Sequence, residues 1–211
     1  MINVDRIYQR VLTLANKEQR GYITPQEFNI FANQAQMDIF EQYFYDLNQF
    51  LRNPGNSTVH ADMVDILQEK ISFFEVTSQF PPPPAVLVGN AGNLNTLPRF
   101  YRLSNVRKNN TILESVSKKD FRLFPNSPLA APTATRPIYM VDTTNNTIQV
   151  LGRRFSRLDV DYIASPKDAN WTYVVVGSKA LYNANATDAQ NFELHPSEET
   201  ELVLKILTLA G

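Results

Sequence analysis

Residues 16–27 are the stretch of this sequence that comes nearest to a pattern with chemistry, because they match part of an EF-hand calcium loop. Gly21 falls on the glycine position of that loop, and Glu27 falls on its last carboxylate position. However, Glu18 stands where the loop needs a short Asp or Asn, and Arg20 places a cation where it needs an oxygen ligand. We therefore expect no Ca²⁺ to bind and interpret the stretch as a turn between two helices.

Nucleophilic and acid-base chemistry have few candidate residues. The chain has no cysteine, which excludes thiolate chemistry, disulfides and cysteine-based zinc sites. Its two histidines, His60 and His195, lie near no serine or acid in a hydrolase pattern. His195 precedes a proline at a helix start, so we interpret it as a residue near the helix cap, with a general base as the alternative. We expect His60 to be solvated, and the seven glycines form no phosphate-binding loop.

Two pairs of carboxylates could act on a metal or a proton. Asp159 and Asp161 would point the same way from a strand, although a half-exposed strand predicts the same alternation with no chemistry. Glu198 and Glu199 stand in the first turn of a helix, where the helix dipole favours acids. We predict no catalytic residue, no metal ligand and no cofactor.

Basic residues are mixed with aromatic ones in the second half of the chain. Such a mixture can bind nucleic acid, and it can equally protect strand edges against unwanted pairing. The formal net charge of -1 gives no overall attraction to a polyanion, which favours the protecting role or a protein interface. The residues are Arg99, Arg102, Arg107, Lys108, Lys118, Lys119, Arg122, Arg153, Arg154 and Arg157, with Phe100, Tyr101, Phe121 and Phe155.

The elements that position these residues can build a real core. A chain of 211 residues with 43% hydrophobic content suits one large domain or two small ones. The N-terminus has an acid at Asp5 and no basic flank before an apolar run, so no signal peptide is predicted. No stretch reaches the ~20 apolar residues of a membrane span, and we expect no contact with a membrane.

Helical spacing dominates the first 76 residues. One apolar stripe predicts a helix over 3–18, a capping box from Thr24 to Glu27 begins a second that runs to about Arg52, and a third is predicted over 61–74. The second helix carries more apolar surface than one small partner could cover. We therefore predict that four of its aromatic residues also contact another subunit. They are Phe31, Phe40, Tyr43 and Phe44.

Four consecutive prolines, Pro81, Pro82, Pro83 and Pro84, mark a change of structure. A polyproline stretch is stiff and cannot join a central strand. Residues 77–96 are therefore predicted to form a loop or arm. Two interpretations stay open, an arm that docks on a neighbouring subunit through these prolines, and a rigid internal connector.

Signals for β-structure follow the prolines. Residues 100–106 and 111–116 flank Asn109 and Asn110, and a second pair of segments, 138–141 and 148–151, flanks Asn145 and Asn146, which predicts two hairpins. Further strands are predicted over 157–163 and 172–176, and a helix follows His195.

The predicted fold class is α+β. It consists of an N-terminal bundle of about three helices plus a C-terminal helix, with a small, mostly antiparallel β-sheet inserted. The expected divisions are a helical unit (1–76), the loop or arm (77–96), an antiparallel β unit (97–194) and a C-terminal helix that packs back on the helical unit (195–211).

A family resemblance rests on the order of several short stretches along the chain. They are Ile2 to Tyr8, Asn16 to Asn29, Phe100 to Leu103, Arg136 to Tyr139, Ile148 to Val150, Val160 to Pro166 and Phe192 to Ser197. In this order they resemble the head-to-tail adaptor proteins of tailed bacteriophages, also called connector or neck proteins. The resemblance spans most of the chain and includes no catalytic motif.

The resemblance implies a helical bundle with a β part, a ring around a DNA channel and no enzymatic activity. The expected function is a virion structural protein that joins the portal to the tail, made in the host cytoplasm and located in the neck or tail of the virion. Expected partners are further copies in a ring of about twelve subunits, the portal protein, tail proteins and, non-specifically, DNA in the channel. The alternative function is a nucleic-acid-binding module that uses the basic and aromatic strands.

Overall fold

The chain forms two compact units. The computed structural model describes residues 1–17, 23–52, 58–82, 87, 91–108, 111–177 and 179–211. Met1–Phe73 and Pro166–Gly211 make up a helical unit, and Phe74–Ser165 makes up a β unit. The fold class is α+β, which confirms the prediction.

The described residues form five α-helices and ten strands. The helices are α1 (Val4–Lys17), α2 (Pro25–Arg52), α3 (Thr58–Ser72), α4 (Lys118–Leu123) and α5 (Glu199–Ala210). The strands are β1 (Glu75–Phe80), β2 (Ala91–Asn93), β3 (Phe100–Lys108), β4 (Thr111–Ile112), β5 (Glu114–Ser115), β6 (Ile138–Asp142), β7 (Thr147–Leu151), β8 (Leu158–Ala164), β9 (Tyr173–Val176) and β10 (Lys179–Tyr182). The helix α4 and the strands β1 to β8 belong to the β unit, and the other elements belong to the helical unit.

The predicted capping box begins α2. The backbone N–H of Thr24 donates to Glu27 Oε2 (2.9 Å), and the backbone N–H of Glu27 donates to Thr24 Oγ1 (3.3 Å). These two reciprocal bonds satisfy donors that a helix start would otherwise leave open, and the hydrogen bonds from Thr24 lower the pKa of Glu27. The sequence pattern therefore located this helix start correctly.

Two helices of its own chain cover α2. Contacts join α2 to α3 and to α5, and α1 also packs on α5. The buried side of α5 consists of Leu202, Val203, Ile206 and Leu207, which lie on one face at helical spacing.

No helix formed by the described residues is long and apolar enough to cross a membrane.

Two four-stranded sheets form the β unit. Their strand orders are β1-β8-β3-β4 and β2-β7-β6-β5, and all pairs are antiparallel except β5 with β6. One core cluster contains apolar side chains from both sheets, among them Phe80, Val106, Ile148 and Val160. Because strand residues alternate, Ile138 and Met140 of β6 form a second cluster with Phe121 of α4.

The predicted hairpin at Asn145 and Asn146 is present as β6 and β7, with Asn146 in the left-handed region (φ 49°) that Asn tolerates in tight turns. The other predicted hairpin is present only in part, as β3 and β4, because the rest of the predicted strand forms β5 and pairs with β6 in the other sheet. Its turn at residues 109–110 lies outside the described residues.

The unit boundaries differ from the expected ones. Strand β1 extends to Phe80 and β2 begins at Ala91, so both ends of the expected loop, 77–96, belong to sheets. Residues 166–194, expected in the β unit, belong to the helical unit. The reason for the second difference is a set of side-chain hydrogen bonds from α2.

Candidate functional site

Three amide side chains on α2 hold an extended segment of the chain that begins at Lys167. Asn33 donates from Nδ2 to the carbonyl of Ala169 (3.1 Å) and accepts from its N–H at Oδ1 (2.7 Å). Asn29 binds both backbone groups of Trp171 in the same way, at 3.3 and 2.9 Å. Each amide therefore makes the two hydrogen bonds that a peptide group of a neighbouring strand would make.

Gln36 is the third amide, and it is almost fully buried (1% exposed). Its Nε2 donates to the carbonyl of Lys167 (2.7 Å), and its Oε1 accepts from the N–H of Glu193 (3.1 Å). The two spacings are close, since three or four residues of helix rise about 4.5 to 6 Å while two residues of strand advance about 6.6 Å. Amides on successive helical turns therefore meet every second residue of an extended chain. We call Asn29, Asn33 and Gln36 the amide ladder.

The amide ladder places the single tryptophan of the chain. Trp171 is buried, and its Nε1 donates to Asp5 Oδ1 on α1 (2.9 Å). Its ring stacks near Tyr173 and Tyr182, with centroid distances of 5.7 and 5.8 Å, and lies 4.1 Å from the ring of Tyr8. These contacts anchor the base of the β9–β10 pair in the helical unit.

Beyond this anchor, β9 and β10 expose apolar side chains. Val174, Val175, Val176 and Leu181 are 48%, 67%, 60% and 50% exposed. The register pairs Val174 with Leu181 and Val176 with Lys179, so one face carries three apolar side chains. No further strand among the described residues pairs with either edge. We call this two-stranded element the apolar ribbon, and it is the candidate functional site.

An exposed ribbon of this kind is unusual in a protein that acts alone. Two strands without a covered face are marginally stable in water, and unpaired apolar strand edges invite pairing with another chain. Soluble proteins usually carry charged side chains on such edges, but Lys179 is the only charged residue of these two strands. The ribbon therefore has the chemistry of a contact surface.

The expected interface aromatics lie elsewhere, on α2. Phe40 and Tyr43 are buried (0% and 4% exposed), whereas Phe31 and Phe44 are partly buried. Phe40 and Tyr43 are thus core residues, which corrects their expected role in contact with another subunit. The physical reason is that α3 and α5 both pack on α2 and bury this part of its apolar surface, while Ile30, Tyr45 and Leu51 of the same helix stay exposed.

The expected proline arm is only partly described. Pro81 is buried and Pro82 is partly buried, while Pro83 and Pro84 lie outside the described residues. Further along the segment, the N–H of Leu87 donates to the carbonyl of Ser156 (2.9 Å), and the Leu87 side chain joins the core cluster. The described residues of the segment therefore belong to the β unit, which favours the connector.

The candidate acid-base residues have structural partners. Asp161 accepts hydrogen bonds from Thr77 Oγ1 (2.6 Å) and from Arg107 (2.7 Å). His195 is the N-cap residue of the turn before α5, since its Nδ1 accepts from the N–H of Ser197 (3.2 Å), as predicted. The residues Glu18, Arg20 and Gly21 of the calcium-like loop, and the side chain of His60, lie outside the described residues.

A buried carboxylate joins α3 to the start of α5. Glu198 is 5% exposed and forms an ion pair with Lys70, whose Nζ also lies 5.6 Å from the centre of the Tyr43 ring. Burial, and then the charge of Glu198, raise the pKa of Glu201. Burial and both carboxylates raise the pKa of Tyr43. Among the described residues, no group of three or more His, Asp or Glu side chains is placed to hold a metal ion.

Charge is divided between the two units. The β unit contains eleven Lys and Arg against six Asp and Glu, a formal charge of +5, whereas the helical unit has nine against fifteen, a formal charge of -6. The overall value of -1 conceals this separation. The basic residues noted in the sequence all belong to the β unit, although some are paired, as Lys118 is with Asp142 (3.2 Å).

Comparison with known proteins assigns no family. The chain matches no family model, and no curated protein matches its sequence. What defines the protein is therefore its own structure, an α+β chain of two oppositely charged units with an apolar ribbon on the helical one.

Proposed function

We propose that this chain is a non-enzymatic structural subunit of a tailed-bacteriophage particle, an adaptor that assembles into a homo-oligomeric ring between the portal and the tail and surrounds the DNA channel. It acts in the neck region of the virion and is made in the host cytoplasm. Its partners are further copies of itself, the portal protein and tail proteins.

The observation that carries the proposal is the apolar ribbon. Val174, Val176 and Leu181 share one face of the ribbon, and each stays about half exposed within the described chain. Burying such side chains stabilises a complex by about 25 cal/mol per Å² of apolar surface. A subunit of a permanent assembly has this kind of surface, whereas a protein that works alone would expose it at the risk of aggregation.

The polar groups support a non-enzymatic role. Asp161, His195 and Glu198, which had the types needed for acid-base chemistry, serve an ion pair, a helix cap and a second ion pair. The second line of support is that several short stretches of the sequence follow the same order as in phage adaptors. This support rests on the resemblance alone.

The proposed assembly is tested by placing charge on the ribbon. We expect the wild-type chain to form species far above 24.0 kDa in sedimentation velocity, alone or with the portal protein. Val174→Glu with Leu181→Glu should abolish these species, because the charges would be buried unpaired. Leu129→Glu is the matched control, since Leu129 is 99% exposed in the β unit and its substitution should change nothing. Equal assembly by all three chains would refute the role of the ribbon.

The proposed location is tested separately. Antibodies raised against the purified chain should label virions of the encoding phage between head and tail in electron micrographs. Label on the capsid surface, on the tail tip or only in lysed cells would contradict the adaptor function.

A nucleic-acid-binding module is the second candidate, and the formal charge of +5 on the β unit favours it. Fluorescence anisotropy with duplex DNA should then show binding by a chain that remains a monomer. The logarithm of the affinity should fall linearly with the logarithm of the salt concentration, as counterions are released. Absence of binding at low salt would eliminate this candidate.

A further inference from the structure

The outward face of α3 combines acidic and apolar side chains. Asp62, Asp65 and Glu69 are exposed on it, and Ile66 is 45% exposed beside them. Helical spacing brings these residues onto neighbouring turns of one side. The opposite side of the helix is the one that packs into the unit, through Leu67 and Ile71. The exposed side is therefore an acidic surface that contains one apolar side chain, Ile66.

The charges of this face do not balance one another. Asp65 and Glu69 are four residues apart, so two like charges meet on adjacent turns, which is unfavourable in an isolated helix. Among the described residues, none of the three carboxylates forms an ion pair. A face that only met water would gain from alternating signs. A basic partner with an apolar centre would suit this face.

The same chain carries a surface of the opposite kind on α4. Lys119, Arg122 and Leu123 are exposed and, with Lys118, line a shallow cavity of about 420 Å³. Lys118 is paired with Asp142, but neither Lys119 nor Arg122 forms an ion pair with any described residue. Leu123 is 58% exposed between these cations. The helix is held in place from beneath by Phe121, which is buried against β6.

We propose that the outward face of α3 in one copy binds the basic face of α4 in the next copy. The carboxylates of α3 meet Lys119 and Arg122, and Ile66 meets Leu123. The contact is heterologous, since the two faces differ, so each copy offers one of each and the contact can repeat. The proposal rests on the proposed homo-oligomer and names a pair of surfaces in it, in addition to the apolar ribbon.

Cysteine cross-linking tests the pairing directly, because the natural chain has no cysteine. An Ile66→Cys chain and a Leu123→Cys chain are mixed and oxidised, and disulfide dimers are measured on non-reducing gels. We expect the mixture to cross-link at least about tenfold faster than either variant alone, because like faces of the same sign repel. The control mixture replaces Leu123→Cys by Leu129→Cys, which puts an equally accessible thiol elsewhere on the β unit.

Charge reversal supplies an independent test of the same contact. Asp65→Lys with Glu69→Lys, added to the Ile66→Cys chain, should slow cross-linking to the Leu123→Cys chain about tenfold. Adding Lys119→Glu with Arg122→Glu to the Leu123→Cys chain should restore the rate. All four positions are exposed, and circular dichroism of each variant checks that the fold is kept.

The outcomes separate this contact from the proposed function. If the chain assembles into large species but Ile66→Cys and Leu123→Cys cross-link no faster than the control, the contact is wrong and the adaptor function stands. If the specific cross-link forms but virions carry no label in the neck, the contact stands and the adaptor function is wrong. A reversed-charge pair that fails to restore cross-linking would also overturn the contact.

Discussion

Replacing Gln36 by Met should destabilise the helical unit while leaving its volume almost unchanged. The Gln36 side chain makes two hydrogen bonds, to the carbonyl of Lys167 and from the N–H of Glu193, at 2.7 and 3.1 Å. Met has a similar shape but can make neither bond. Because Gln36 is 1% exposed, water does not reach the two backbone groups to replace the lost hydrogen bonds.

The magnitude follows from the two backbone groups that lose their partner. A buried donor or acceptor left unsatisfied costs about 1 to 3 kcal/mol. Two such groups give about 2 to 6 kcal/mol, and burial of the more apolar Met offsets part of this. We therefore expect a loss of about 3 kcal/mol in the free energy of unfolding.

Urea unfolding followed by circular dichroism measures this loss, and hydrogen exchange locates it. The amide of Glu193 should exchange faster in Gln36→Met, because opening of this segment becomes cheaper. Gln34→Met is the matched control, since Gln34 lies on the exposed side of the same helix. If the two variants unfold within about 0.5 kcal/mol of each other, the amide ladder does not hold the segment as we argue.

Three further substitutions test other parts of the structure. Gly92→Ala should destabilise the β unit by about 1 to 3 kcal/mol in urea unfolding, since its Cβ would lie 2.6 Å from Cε1 of Phe80, and an unchanged midpoint would contradict this. Trp171→Phe should lower the thermal midpoint through a loss of about 1 to 2 kcal/mol, because the indole bond to α1 disappears; no loss would show that the bond is not formed. Glu201→Gln should stabilise the helical unit at pH 7 by about 0.5 kcal/mol, because burial, and then Glu198, raise the pKa of Glu201 and the stability that its protonated form contributes is lost as pH rises. That gain should vanish below the ordinary carboxyl pKa of about 4.3, and an equal gain at both pH values would refute the explanation.

Local sequence signals located most of the helices and the clearest hairpin. Thr24 and Glu27 identified the start of α2 because a capping box involves only four neighbouring residues. Asn146 identified the turn of the β6–β7 hairpin because a left-handed residue is needed there. Such signals act over a few residues and can therefore be read without the fold.

The unit boundaries could not be read in this way. Residues 166–194 have the composition of loops and short strands, so they were expected with the sheet. Their place is set by Asn29, Asn33 and Gln36, which are more than a hundred residues away in the sequence. Spacing at i, i+4 and i+7 on α2 was the available signal, but an Asn or Gln on a helix does not reveal which backbone it binds.

Near neighbours in the sequence are enough to predict the α+β class, the capping box, the helix cap at His195 and the β6–β7 hairpin. Which apolar side chains belong to the core and which to the surface follows from the fold and not from the local sequence. Phe40 is buried where α3 and α5 pack on α2, while Val175 of the apolar ribbon is 67% exposed. Both residues are equally apolar in the sequence, and burial depends on which distant elements meet, which hydrophobicity alone does not specify.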